Sequence, residues 1–514
     1  MKNWRGLFEI VKFPIEVLFI AYILSGTGNL LANNIFGIGT LINNDYVNMF
    51  AETLQKSGQF IIVNFPFLFL IRLVARKNGS SVTIMSALIG YIAFLVTTML
   101  VCSSSLTSTA YSSILGLSLT KSNIASYTGI TKYPLQTGLI GALCVVAITL
   151  LSFNQCKKRN EYGLFSFVSK ETMCVILTLI YSVLAGIVIS FLWPYVMMCV
   201  DKLVNFISAD TTNPVNLTLY GILDGILTTF NLGTWIRNPF WYNIQGGSWV
   251  GVSGSVASGD VGVWSAQILA NSVTGQAGRF ITPYYILNIF AVPGIIWAMC
   301  TLETNPLQKV KVRTLCIIAT IVSMLSGTLL PIQLMLLFLA PLLYVLHIAM
   351  TGVLFGVLQG FHIYLGFNST ETSTMTSLPG TLPELITYVT NDNLRNTILL
   401  LLIVGAITLV VYFFVTRLYF ESLAIDLFKT GDEERLIKST LKAIGGIENL
   451  KAIESNCFNI SVALYDTEKI DIPRLKRLGA SRISLNNTGY YVLGFGSKST
   501  MLRKGIEHER RVAE

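Results

Sequence analysis

The sequence predicts a polytopic α-helical membrane protein that ends in a small α/β domain. Of its 514 residues, 53% are hydrophobic and only 12% are charged, whereas a soluble domain has about 25% charged residues. The segments 172–200 and 396–416 have no formally charged side chain, and each exceeds the roughly 20 apolar residues that cross a bilayer as a helix. A more polar, charged sequence follows residue 416, and it predicts the terminal domain.

Apolar runs predict about ten membrane-spanning helices. They lie at roughly 12–33, 58–75, 82–104, 134–153, 172–198, 217–232, 283–303, 314–330, 332–358 and 396–418. Three long polar regions, at 105–133, 234–280 and 364–393, are rich in Gly, Ser, Thr and Asn, and we expect loops, re-entrant segments or surface elements there. Gly327 and Pro331 interrupt an apolar segment, and such interruptions allow backbone to line a cavity inside a membrane protein. The region 325–335 is therefore a candidate site.

The net charge of +9 indicates a lipid partner rather than nucleic acid. Basic residues form short clusters beside apolar runs, at 72–77, 157–159 and 309–313, as expected for the cytoplasmic ends of membrane helices. The cysteines show no CxxC spacing. We therefore expect neither a metal nor another cofactor, and no nucleic-acid binding.

The C-terminal sequence predicts a small α/β module. A hydrated linker around 430–435 leads into a helical pattern at 433–445, which ends at two glycines. Two alternating runs, 458–464 and 490–494, predict strands, and a short helix at 472–479 separates them. We divide the chain into a membrane domain at 1–420, a linker at 421–436 and a terminal domain at 437–514.

Motifs in this terminal domain follow one another in a recognisable order. They are Gly445-Gly446-Ile447-Glu448-Asn449-Leu450, then Cys457, then Asp466-Thr467-Glu468-Lys469-Ile470, then Leu475-Lys476-Arg477-Leu478-Gly479-Ala480, and finally Gly494-Phe495-Gly496. In order and spacing they resemble the enzyme IIB domain of the glucose superfamily of bacterial sugar phosphotransferase systems. The resemblance covers nearly the whole terminal domain.

The membrane domain resembles the enzyme IIC permease of the same superfamily. The matching motifs are Trp193-Pro194, Leu219-Tyr220-Gly221-Ile222-Leu223 and Ala340-Pro341-Leu342-Leu343-Tyr344-Val345-Leu346-His347. The resemblance implies a homodimeric permease in the bacterial inner membrane, with its C-terminal domain in the cytoplasm. It further implies that a sugar is bound and phosphorylated during passage, with a IIA protein as the phosphoryl donor.

The resemblance also assigns the candidate site residues. Cys457 occupies the position of the phosphocysteine, although the family's arginine-containing stretch after it is replaced by Phe458-Asn459-Ile460-Ser461-Val462. The family's sugar-binding loop GITEPIE matches residues 327–333. The candidate substrate-binding residues in the matched stretches are Gly327, Pro331, Gln333, Asn231, Thr234 and His347. Trp235 is added because sugar sites also use aromatic faces.

The family residues that carry phosphoryl transfer in the permease are replaced. Leu330 and Gln333 stand at the two acid positions of the loop, Gly225 replaces the arginine of the YGFLNRLLIPFGLHH segment, and Gly233 and Thr234 replace its histidines. Leucine cannot supply the hydrogen bonds with which a buried carboxylate recognises a sugar hydroxyl. Two functions stay open: a sugar-transport component of the phosphotransferase type, and a non-phosphorylating sugar sensor, facilitator or regulatory paralogue.

Three further features of the membrane domain each allow two interpretations. His347 is a ligand or a histidine hydrogen-bonded inside a helix bundle. Asp224 and Arg237 are rare charges near apolar sequence, and either could be functional. An aromatic and amide stretch provides either a ligand platform or an interfacial aromatic belt. It comprises Trp235, Asn238, Trp241, Tyr242, Asn243 and Gln245.

Overall fold

We analysed a computed structural model of the chain. It describes residues 2–31, 44–78, 80–102, 111, 114–120, 130–158, 168–251, 254, 256–273, 277–302, 306–367, 379–389, 391–422, 431–456, 459–480, 482–486, 489–496 and 499–513. The chain forms two compact units. Unit 1 comprises Met1–Ala298 and Cys316–Thr416, and unit 2 comprises Met299–Leu315 and Arg417–Glu514. The domain boundaries at 420 and 437 stay a prediction.

Most of the chain before residue 423 is α-helical, as the apolar sequence predicts. The helices are α1 (Lys2–Leu31), α2 (Asp45–Val63), α3 (Phe65–Asn78), α4 (Ser81–Val101), α5 (Gly138–Lys158), α6 (Lys170–Ala209), α7 (Pro214–Thr229), α8 (Thr234–Tyr242), α9 (Asp260–Leu269), α10 (Thr282–Ile286), α11 (Val292–Thr301), α12 (Pro306–Ser326), α13 (Leu330–Leu339), α14 (Pro341–Gly360), α15 (Leu382–Val389) and α16 (Arg395–Ser422). A π-helical turn, Leu287–Ala291, joins α10 to α11.

Seven segments of the described chain are long and apolar enough to cross a membrane. They are Ile10–Leu31, Ser81–Val101, Gly138–Lys157, Lys170–Ala209, Thr282–Thr301, Pro341–Gly360 and Asp392–Ser422. An eighth is obtained if α2 and α3, bent by 57° at their junction, count as one span. The polytopic helical fold is therefore confirmed. The two other predicted crossings, at 217–232 and 314–330, fall on the 16-residue α7 and on the shorter apolar segment Val312–Ser326.

Small residues allow the helices of unit 1 to approach one another closely. Gly352 of α14 faces the carbonyl oxygen of Thr218 on α7, at 2.8 Å from where a Cβ would lie, and Gly221 of α7 faces the Cα of Gly352. Gly186 of α6 packs in the same way against Thr97 of α4. Such contacts favour membrane helix packing, because lipid provides no hydrophobic drive for helices to associate.

The interruption predicted at 325–335 is present. Helix α12 ends at Ser326, and Gly327 has a φ of 62°, a left-handed conformation that favours glycine. Helix α13 begins at Leu330, with Pro331 in its first turn, where the missing N–H costs no helical hydrogen bond. The predicted span 332–358 is likewise divided, because α13 ends at Leu339 and α14 starts at Pro341.

The polar region 234–280 folds into short elements rather than one loop. After α8, strands β1 (Ser248–Val250) and β2 (Val256–Ser258) form an antiparallel hairpin, and α9 follows. Asp260, at the start of α9, is fully buried, and its carboxylate accepts hydrogen bonds from the backbone N–H groups of Gly278 at 2.7 Å and Phe280 at 3.1 Å. This carboxylate anchors the segment that leads into α10.

The C-terminal part of unit 2 is a small α/β domain. Its elements are α17 (Gly431–Ala443), β3 (Leu450–Ser455), β4 (Asn459–Leu464), α18 (Ile472–Arg477), β5 (Ile483–Leu485), β6 (Tyr491–Gly494) and α19 (Ser499–Ala513). The strands form an antiparallel sheet in the order β3-β4-β6-β5. Both predicted strands and both predicted helices are present. Strands β3 and β5 and helix α19 were not predicted from the sequence.

Asn449 of the glycine-pair motif Gly445–Leu450 connects two backbone segments through its side chain. Its side-chain amide donates to the carbonyl oxygens of Ile444 at 2.7 Å and Asp466 at 2.9 Å, and its Oδ1 accepts from the N–H of Asp466 at 2.8 Å. The side chain is buried. One amide therefore ties the end of α17 to the loop after β4.

Candidate functional site

A buried ion pair joins α7 to α8 in the interior of unit 1. The Nε and Nη2 atoms of Arg237 donate to the two carboxylate oxygens of Asp224, at 2.6 and 3.0 Å. The Tyr284 hydroxyl donates to the same carboxylate at 2.5 Å, and Thr228, one turn beyond Asp224, donates at 3.3 Å. Two-pronged pairing of this kind fixes the plane and position of the guanidinium.

Aromatic rings enclose the guanidinium of this pair. Its central carbon lies 5.2 Å from the ring centroids of both Trp241 and Tyr284, within the range of cation–π attraction. Trp241 lies one turn after Arg237 on α8, and its indole N–H donates to the Tyr220 hydroxyl at 3.0 Å. The Asp224 side chain is 3% exposed and that of Arg237 is 16% exposed. Arg237 is thus the more accessible partner.

The ion pair lies near the interrupted segment. The Tyr22 hydroxyl of α1 lies within interaction range of both Thr328 and the Arg237 guanidinium. Thr328 belongs to the loop 327–329 between α12 and α13. The fold therefore brings the two charges into the electrostatic neighbourhood of the loop that resembles the family's sugar-binding loop.

A neutral polar cluster occupies the next face of α7. Thr229 donates to Oε1 of Gln333 at 3.4 Å and accepts from the Tyr344 hydroxyl at 3.0 Å. A Cβ at Gly225, one turn earlier, would lie 2.7 Å from Cδ1 of Ile348 and 3.9 Å from Nε2 of Gln333. An apolar side chain and an amide therefore occupy the space beside Gly225.

The loop residues themselves are buried. Leu330 is 3% exposed and belongs to an apolar cluster that includes Leu18, Tyr22 and Leu334. Gln333 is 1% exposed, and its contacts with Thr229 are those just described. Position 330 is therefore part of the hydrophobic core.

Asn231, Thr234 and Trp235 form a separate cluster around Gln136. Thr234 donates to Oε1 of Gln136 at 2.8 Å, and Nε2 of Gln136 donates to the carbonyl oxygen of Asn231 at 3.3 Å. Trp235 is buried against Trp193, with ring centroids 5.5 Å apart, and Trp193 donates to the Gln136 carbonyl oxygen at 3.2 Å. Thr234 is exposed, so this cluster also has an open edge.

His347 lies apart from these groups. It is fully enclosed in the bundle, and its Nδ1 is 3.1 Å from the Tyr412 hydroxyl of α16. Its Nε2 is buried and makes no hydrogen bond within the described part of the chain. This is the environment of a bundle histidine, and its assignment as a ligand stays a prediction. Cys457 lies outside the described residues.

Sequence reasoning identified the charges of this site but not their partners. Asp224 and Arg237 stand out as isolated charges near apolar sequence, and that signal was available. Tyr284 and Tyr22 lie within apolar runs and look like ordinary core aromatics, and Gln136 is a single amide at the start of the predicted span 134–153. Only the folded chain shows that they converge on the candidate residues.

The fold and the site define a multi-pass helical permease with polar groups at interrupted helices in its interior. Residues 8–352 match the family described as "Phosphotransferase system, EIIC". The chain belongs to this family and is a sugar-transport component of the phosphotransferase system. It is also similar to the "PTS system glucoside-specific EIICBA component" of Staphylococcus carnosus (strain TM300), with 26% identity over 516 residues, covering 97% of this chain and 72% of that protein.

Proposed function

We propose that this chain binds a sugar and moves it across the bacterial inner membrane without phosphorylating it. It acts as a facilitator or as a regulatory paralogue of a phosphorylating permease. The assignment to sugar transport comes from the family, and the loss of phosphorylation comes from the residues of the site. By the same resemblance, the protein is a homodimer and its C-terminal domain is cytoplasmic.

The burial of Leu330 is the observation that carries this proposal. In the resembling family the same loop position holds a glutamate that binds the sugar and takes part in transfer. Here the side chain is packed in an apolar cluster with Leu18 and Leu334. A carboxylate in such a place would be strongly penalised unless it were paired. The leucine and its apolar surroundings offer a sugar hydroxyl no hydrogen bond.

The other replaced positions agree with this. The arginine position is Gly225, and Ile348 stands where its side chain would extend. The second acid position is Gln333. Its side-chain oxygen accepts a hydrogen bond from Thr229, which requires no charge. The histidine positions are Gly233 and Thr234, and Thr234 is engaged with Gln136. Phosphoryl transfer needs a positioned base and cations to stabilise the transferring group, and these positions supply neither.

The alternative is a phosphorylating IIC-IIB permease. Cys457 favours it, because a cysteine stands at the family's phosphorylated position and its thiolate could be a nucleophile. A IIA protein would be the phosphoryl donor in that case. The name of the Staphylococcus relative likewise combines IIC, IIB and IIA components. The two functions differ in whether the sugar emerges modified.

Transport in membrane vesicles distinguishes them. Vesicles containing the full chain are loaded with phosphoenolpyruvate and the general phosphotransferase proteins, or left without them, and given radiolabelled methyl glucoside. We expect uptake of unmodified sugar that depends neither on phosphoenolpyruvate nor on Cys457. Cys457→Ser serves as the matched control. Accumulation of labelled sugar phosphate that Cys457→Ser abolishes would contradict the proposal, and so would the absence of any sugar uptake.

A further inference from the structure

The ion pair of Asp224 and Arg237 has no counterpart among the residues that the family resemblance assigns to the sugar. It lies inside a membrane domain, where ionisable side chains are costly and usually mark a functional site. Its two halves are unequal. The carboxylate accepts four hydrogen bonds, from Nε and Nη2 of Arg237, from Tyr284 and from Thr228. Its acceptor capacity is essentially filled, so a ligand gains little by approaching it.

Arg237 still has an unused edge. A guanidinium has five N–H donors, and the pairing through Nε and Nη2 leaves the end that carries Nη1 and the second N–H of Nη2. Within the described residues, the groups that hydrogen-bond with the guanidinium are the Asp224 carboxylate and the Tyr284 hydroxyl, and the Arg237 side chain is 16% exposed. That edge presents two parallel N–H donors in a fixed plane.

The surroundings indicate the chemistry of the ligand. Asp224 compensates the charge of Arg237, so the pair offers directed donors without a net positive charge. Trp241, Tyr284 and Tyr220 surround the pair with aromatic faces and a hydroxyl. Parallel guanidinium donors can serve any pair of oxygens, but because Asp224 already neutralises the charge, an anion gains little here and two neighbouring hydroxyl oxygens of a neutral sugar are suitable acceptors.

We propose that the outer edge of Arg237, held in place by Asp224, binds two vicinal hydroxyl groups of a neutral sugar and thereby sets the sugar specificity of this permease. Arg237 is then a binding residue, and Asp224 is a positioning residue that acts through it. The inference rests on the proposed sugar-binding function, and it holds whether or not the sugar is later phosphorylated.

Binding to the purified full-length chain in nanodiscs tests this proposal. The probes are methyl α- and β-glucosides, their single-position deoxy analogues and methyl glucuronide, and dissociation constants are measured without phosphoenolpyruvate. Arg237→Lys keeps the charge but loses the parallel donors. The double variant Asp224→Asn with Arg237→Gln removes both charges. Because no uncompensated carboxylate remains, weaker binding by this variant indicates lost recognition and not misfolding.

The matched control is Arg279→Gln. Arg279 is also a part-buried arginine stacked on an aromatic ring, since its guanidinium carbon is 5.7 Å from the Tyr364 centroid and it donates to Thr211 at 2.9 Å. We expect both Arg237 variants to weaken glucoside binding by roughly tenfold to a hundredfold. Arg279→Gln should leave it within about twofold, because Arg279 bonds with Thr211 and not with the groups of the ion pair.

The deoxy analogues provide the decisive readout. For a sugar that lacks the contacted hydroxyl, wild type and Arg237→Lys should bind with similar affinity, whereas a purely structural defect would weaken every probe alike. Equal glucoside affinities in wild type and both variants would overturn the proposal. No glucoside binding by wild type, or Arg237-dependent preference for the glucuronide, would also overturn it. The vesicle assay tests the loss of phosphorylation separately, because it measures modification rather than affinity.

Discussion

Replacing Asp224 with alanine tests whether the ion pair holds α7, α8 and α10 together. The substitution removes the acceptor of two hydrogen bonds from Arg237, at 2.6 and 3.0 Å, and of a 2.5 Å bond from Tyr284. It leaves a guanidinium that is 16% exposed without its counter-charge. The damage comes mainly from the stranded cation and not from the lost volume of the carboxylate group.

The expected magnitude follows from that stranded charge. Removing one partner of a buried ion pair costs about 3–5 kcal/mol. The partial exposure of Arg237 allows some hydration, so we expect a loss near the lower end, about 3 kcal/mol. Tyr284→Phe removes one hydrogen bond to a charged group and should cost about 1.5–3 kcal/mol. Replacing both charges, as in Asp224→Leu with Arg237→Met, should cost less than Asp224→Ala alone, because no charge is stranded.

The assay is reversible denaturant unfolding of the full chain in mixed micelles, followed by tryptophan fluorescence. Arg417→Gln is the matched control, because Arg417 pairs with Glu421 at 2.7 Å but both side chains are 46% exposed. That variant should change the free energy of unfolding by no more than about 1 kcal/mol. If Asp224→Ala costs no more than this control, or if the double replacement is as damaging as the single one, the reasoning about a stranded charge is refuted.

Three other predictions concern different parts of the chain. Asn449→Ala should destabilise the terminal sheet by about 2–4 kcal/mol, because three hydrogen bonds are lost. Amide hydrogen exchange in the strands of this sheet should become faster, and unchanged exchange would contradict the prediction. Gly246→Ala should lower folded yield and melting temperature, because its Cβ would overlap the Phe240 carbonyl oxygen. Gly262→Ala in α9 meets no atom within 4 Å and should be neutral or stabilising. Burial raises the pKa of Asp260 to about 7. The folded chain therefore holds a proton that the unfolded chain releases, so this residue's contribution to stability falls as pH rises from about 4 to 7. Asp260→Asn should reduce the corresponding pH dependence of the melting temperature, and an unchanged dependence would count against it.

Much of the fold could be predicted because the signals are local. Apolar runs of membrane length predicted the helices, and Gly327 with Pro331 predicted the interruption that the structure has between α12 and α13. Two short strands could not be predicted, because Ile483–Leu485 and Leu450–Ser455 lack a long alternating pattern. The helix Ser499–Ala513 was not predicted.

The candidate site could be predicted only in part. Motif matching selected Gln333, Asn231 and Thr234, and the aromatic composition of the next stretch added Trp235. The structure divides these four residues between two clusters, one at Thr229 and one at Gln136. His347 comes from an equally good motif yet lies with Tyr412 elsewhere in the bundle. Motifs record which residues a family uses, but they do not give the distances between residues on different helices.

The sequence by itself determined that this is a membrane permease with a small terminal domain, and its motifs predict that the transfer residues are replaced. Hydrophobic length and motif order are properties of the linear chain, so they need no knowledge of packing. The tertiary structure alone decided that Leu330 lies in the core and that Arg237 pairs with Asp224 beside Tyr284. These contacts join residues on different helices, and which of them meet depends on how each helix is rotated and packed against its neighbours.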